Sequence, residues 1–119
     1  VYAFLTHRDV LEATRAAGAM LIRPDAPLAA LIAAAALVHA VVSFFWASVL
    51  RFLLPPCHIA VWAMAWSAGV ALLDLRVIAP IFFGSVASLP FWPQFADHLM
   101  WGACLGVTLQ LRLRRNSGN

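Results

Sequence analysis

The 119-residue chain is 64% hydrophobic and only 11% charged, with a mean hydropathy of +0.88 and a formal net charge of +3. A soluble domain carries about 25% charged residues, so this composition excludes an ordinary water-facing surface and points to the membrane. At roughly 20 residues per span, three or four helices use most of the chain and leave no room for an extramembrane domain of useful size.

Residues 7–22 read as an amphipathic helix. Arg8, Asp9, Glu12 and Arg15 share one face, and Val10, Leu11, Ala17, Gly18 and Leu21 share the other. Glu12 is spaced to pair with Arg8 and Arg15, and Thr6 with Asp9 resembles a capping box. Such a helix is expected to lie in the headgroup plane; the rival is a helix docked on a partner. Charges are interleaved through the segment 1–23 and it contains no uninterrupted apolar run after them, so this stretch is not expected to be a signal peptide. Pro24 and Pro27 then forbid a continuous helix, and Pro27 suits the start of the next one.

Residues 28–54 form the strongest spanning segment, with one charge, Arg51, positioned to snorkel to the interface. Pro55 and Pro56 make a corner. Residues 57–79 form the second apolar block, with Trp62 and Trp66 near its start and Asp74 and Arg76 near its finish. Residues 80–93 are apolar but interrupted by Pro80, Gly84, Pro90 and Pro93, and are expected to form an interfacial or re-entrant loop. Residues 95–111 form the last block, and residues 112–119 a polar tail. The expected fold is therefore an all-α integral membrane protein, a single membrane domain over residues 1–119. It has three transmembrane helices after an amphipathic interfacial helix.

The alternative is four spans, with residues 77–92 crossing as well. All eight cations are arginine. Three spans divide them four and four, whereas four spans leave Arg51 alone on one side, which the positive-inside rule prefers. Against this, 16 residues reach only about 24 Å of a roughly 30 Å hydrocarbon core.

Each main block carries a stripe of small residues with a polar member. Ala33, Ala36, Ala40, Ser43 and Ala47 run down the first, bordered by His39. Ala60, Ala63, Ser67, Ala71 and Asp74 run down the second. His98, Gly102, Gly106 and Gln110 follow at intervals of four in the third, and Gly102 to Gly106 is a GxxxG element. Small residues let helix backbones approach where lipid gives no hydrophobic drive for association. Ala36, Ala40, Ser67, Ala71, Gly102 and Gly106 are the expected packing positions. In the three-span layout Asp74 and Asp97-His98 share a depth, so His39, Ser43, Asp74, Asp97 and His98 are candidates for one buried polar cluster. Arg76 lies about 200° around a helix from Asp74, which leaves His98, with His39, as the expected partner of that carboxylate.

The first expectation for this cluster is structural, a satisfied Asp–His pair that fixes helix register. No cofactor is expected on that reading; the alternatives are haem or chlorin ligation by His39 or His98, and proton handling through Asp74 and the histidines. Ala35, four residues before His39, leaves room for a flat macrocycle. Over these five residues the chain resembles bacterial light-harvesting antenna helices, which would imply a chlorin on His39. No close ligand spacing supports a metal site. His7 and His58 are expected at the interface, the five tryptophans as anchors and bundle filling, and Cys57 and Cys104 as packed thiols. No GxSxG, Gly-rich phosphate loop, HExxH or CxxC motif occurs. Arg112, Arg114 and Arg115 serve as a topology anchor, with no nucleic-acid partner.

The expected function is thus non-catalytic. The chain reads as a small polytopic protein of the bacterial inner membrane, packed in the lipid bilayer against a larger membrane complex as an accessory or assembly subunit. A respiratory or photosynthetic complex is the natural host. The alternative is a cofactor-binding or proton-handling protein built on His39, Asp74 and His98.

Overall fold

The computed structural model describes residues 9, 11–55 and 57–117. All regular structure among them is helical. We number the helices α1 (Glu12–Gly18), α2 (Leu28–Leu53), α3 (Ile59–Leu73), α4 (Ala79–Phe82), α5 (Gly84–Ala87) and α6 (Phe91–Ser117); a π-helical turn, Asp74–Ile78, joins α3 to α4.

Helix α1 is shorter than the expected amphipathic segment. Asp9 starts it, its carboxylate accepting from the Leu11 N–H at 2.9 Å and its carbonyl from the Glu12 N–H at 3.0 Å. Thr6 and Arg8 lie outside the described residues. Arg15 pairs with Asp9 at 3.0 Å. Ala16, Ala17 and Gly18 are buried. Gly18 meets the backbone of Leu31 so closely that a Cβ there would overlap the Leu31 carbonyl oxygen and lie 2.9 Å from its carbon. The apolar face of α1 therefore rests on α2, where Leu31, Ala34 and Ala35 are buried. A second tie, Ser85 donating to the Ala16 carbonyl at 3.3 Å, links α1 to α5.

Helix α2 begins after Pro27, whose carbonyl accepts from the Leu31 N–H at 3.1 Å. It ends at Leu53, and Leu54 is extended as the residue before a proline must be. The corner is completed by His58 in the left-handed region (φ 50°, ψ 40°), a strained conformation for a residue with a Cβ.

The second long helix runs past the expected end at residue 79. In an α-helix Pro80 offers no N–H, and its ring would strike the carbonyl of residue 76. The chain accommodates it by opening into the π turn, in which the Ala79 N–H reaches back to the Asp74 carbonyl. Helical backbone then continues to Phe82. The expected loop over residues 80–93 is thus mostly helix: the end of α4, the single turn α5, and the first residues of α6. No separate helix of spanning length forms over residues 77–92.

Helices α3 and α6 pack antiparallel along most of their length, whereas the extensive packing of α2 is with α1 rather than with either of them. Two helices are long and apolar enough to cross a membrane, Leu28–Leu53 and Ile59–Phe82. Helix α6 has 27 residues but is not among them; Gln94, Asp97, His98, Gln110 and the terminal arginines dilute its hydropathy.

Candidate functional site

The α3–α6 seam is built from the smallest side chains of both helices. Ala63, Ser67 and Ala71 are completely buried. Gly106 rests on Ala60, where a Cβ would come within 2.6 Å of the Ala60 Cα; Gly102 rests on Ser67, where a Cβ would lie 2.5 Å from the Ser67 Cβ and 2.9 Å from the Ala63 carbonyl oxygen. Backbones this close exclude any side chain at either glycine.

The seam carries polar groups at one end. The Ser67 hydroxyl donates to the carbonyl of His98, so the one buried hydroxyl of the seam is satisfied across the helix pair rather than within its own helix. The His98 imidazole donates from Nδ1 to the Gln94 carbonyl at 2.8 Å; a carbonyl only accepts, so this contact places a proton on Nδ1. The other ring nitrogen, Nε2, faces Asp74 Oδ2 at 3.6 Å, with the two side chains 26% and 23% exposed. That separation is an ion-pair distance rather than a direct hydrogen bond. A bare carboxylate facing an imidazole lone pair would be repulsive, so a proton on either member makes the contact favourable. Imidazolium with carboxylate and imidazole with carboxylic acid are both neutral overall, the least costly charge state in apolar surroundings. Asp74 is also the first residue of the π turn, so the wide turn that accommodates Pro80 starts at the residue facing His98.

Of the candidate cluster, the structure brings together Asp74 and His98, with Ser67 beside them. Asp97 is exposed on α6. His39 and Ser43 lie on α2. His39 is exposed, its Nδ1–H bonded to the Ala35 carbonyl at 2.8 Å and its Nε2 left open. Among the described residues no three His, Cys, Asp or Glu side chains are grouped to hold a metal ion. Of the packing positions, Ser67, Ala71, Gly102 and Gly106 meet in the α3–α6 seam, whereas Ala36 and Ala40 are exposed, because α1 rests on the Leu31–Ala35 face of α2 instead. The thiols expected to be packed are both exposed and unpaired. Cys57 lies on the outside of the corner, and Cys104 lies half a turn from both glycines of the seam.

One arrangement was not anticipated from sequence. The Arg76 guanidinium carbon stands 4.5 Å from the centroid of the Phe91 ring, within cation–π range. Fifteen residues separate the two, and no local spacing signals a contact made by folding α6 back onto α3.

No family model, curated protein or solved structure matches this chain.

Proposed function

We propose that this chain is a small polytopic protein of a bacterial-type inner membrane, with α6 as its third span, that packs as a non-catalytic accessory or assembly subunit against a larger membrane complex. A respiratory or photosynthetic complex is the proposed host. The observation that carries this reading is the outward face of α2. Ala33, Ala36, His39 and Ala40 are all exposed, so small residues at helix-packing spacing, with a titratable group among them, are left uncovered by the other helices among the described residues. A histidine facing lipid is costly, and a face of small residues at this spacing is suited to close approach by a further helix.

Migration of the full chain from native membranes in mild detergent tests this. The expected result is a colourless chain that comigrates with a large complex and is released by the double substitution A36L/A40L, with membrane insertion intact. Migration of the wild type alone contradicts it.

A second reading, a haem- or chlorin-binding or proton-handling protein, is supported by two contacts. Asp74 faces His98, and the Nδ1 bond of His39 leaves Nε2 directed away from its own helix, the orientation a ligating imidazole adopts. A visible absorption band in the purified protein, lost in His39→Ala, would favour the cofactor arm of this reading over the accessory role.

A further inference from the structure

Beside the α3–α6 seam lies a cleft of about 310 Å³, lined by Leu75, Arg76, Pro80, Val86, Ala87, Leu89 and Phe91. Its only charged group is Arg76, which is exposed and forms no ion pair with a carboxylate among the described residues. Asp74, two positions earlier, faces His98 instead. The Phe91 ring covers one side of the guanidinium, which leaves its N–H edge to face an acceptor that offers two oxygens, as a phosphate does. The remaining lining is aliphatic or aromatic. Counted along the helix from Ile59, Arg76 lies about 26 Å up the span, near the far edge of a roughly 30 Å hydrocarbon core.

The geometry points to this cleft as a binding site for one anionic phospholipid, its phosphate on Arg76 and the upper part of an acyl chain against Leu75, Pro80, Val86 and Leu89. Charge complementarity selects the anionic class. A zwitterionic headgroup brings its own cation, and the cleft lining contains no carboxylate to receive it. An anionic headgroup neutralises the single cation without leaving a charge over. The site also explains why the corner after α4 is apolar: Val86 and Leu89 give a lipid chain a surface to rest on, where a solvated loop would place polar residues. The inference rests on the membrane reading of the chain but not on the accessory role.

The full chain is reconstituted in nanodiscs of equal phosphatidylglycerol and phosphatidylcholine, then released into detergent, and the retained lipid is counted by native mass spectrometry. Helicity in the nanodisc fraction is recorded separately, so that failure to insert is distinguished from failure to select lipid. Wild type is expected to retain one phosphatidylglycerol in preference to phosphatidylcholine by about fivefold, the effect of one arginine at a membrane surface. Arg76→Gln should abolish the preference with helicity unchanged. Val86→Asp, which keeps Arg76 and supplies it with an internal carboxylate, should abolish it as well. Equal retention of the two lipids by wild type overturns the proposal, as does undiminished selectivity in Arg76→Gln. Full displacement of the lipid by millimolar inorganic phosphate would also overturn it, since a free anion would then satisfy the site without the acyl contact.

Discussion

Asp74 and His98 face each other across the α3–α6 pair, at one end of a seam otherwise made of small side chains. Each side chain is about a quarter exposed, so neither is fully solvated and removal of either partner strands the other. Asp74→Ala and His98→Ala should each destabilise the protein by about 1 kcal/mol. The double variant should cost less than the sum, because removing both leaves no stranded group. Thermal unfolding of the three variants in detergent measures this, and strict additivity would show that the pair does not interact. Ser67→Ala should have a smaller effect, since the His98 carbonyl remains an acceptor within α6. Asp74 could be singled out from sequence because a carboxylate in an apolar block needs a partner, and the helical angle removes Arg76 from consideration. The partnership of Arg76 with Phe91 could not, because it depends on where the chain turns between α4 and α6.

Helices α3 and α6 form a pair because their glycines and small residues coincide. Gly106 and Gly69 make a controlled comparison within it. A Cβ at Gly106 would lie 2.6 Å from the Ala60 backbone, whereas a Cβ at Gly69 would meet nothing within 4 Å. Gly106→Ala should therefore destabilise by about 1–3 kcal/mol, the range for overpacking a filled interface. Gly69→Ala should be neutral or stabilising by up to about 1 kcal/mol, because alanine is the better helix former. Thermal melts of the two variants decide; similar destabilisation by both would mean that α6 does not seat where Ala60 and Ser67 place it. Gly18→Leu should detach α1 from α2, because the Leu31 backbone occupies the space of any side chain. Protease sensitivity of α1 should rise while insertion is unaffected.

These faces were readable because small residues recur at intervals of three and four positions, the spacing that keeps them on one side of a helix. The continuation of α3 through Pro80 was not, because sequence marks where proline removes a hydrogen bond but not that a π turn will absorb it. The extent of α1 was not readable either. The apolar face runs on to Leu21 in sequence, but the helix stops at Gly18, beside the Leu31 backbone.

At the scale of the whole molecule, α1 is the joint. It holds the start of α2 through Gly18 and reaches α5 through Ser85. The middle of α2 is left with Val41, Phe44 and Phe45 exposed by 60%, 76% and 58%. Lipid accounts for that exposure without difficulty, since bulky apolar side chains are suited to acyl chains. It does not account for Ala36, His39 and Ala40, which are small or polar on a surface where lipid gains little from either. The three-span proposal puts the two ends of the chain on opposite sides of the membrane, and reporter fusions at both ends should give opposite signals; matching signals would remove α6 as a span. The same small-residue stripe that was legible in sequence says that a face packs, but not against what, which is why the surroundings of His39 differ from those expected.

The outward face of α2 is tested most directly by site-specific photocrosslinking in native membranes, with a photoreactive side chain at Ala40 and a control at Phe45, which is exposed about 140° around the helix from it. A discrete protein adduct from Ala40, absent or much weaker from Phe45, is the expected result, with a helix of the larger complex seated on the small-residue face. Lipid adducts alone, equal at the two positions, would contradict it and leave α2 as a helix surrounded by lipid.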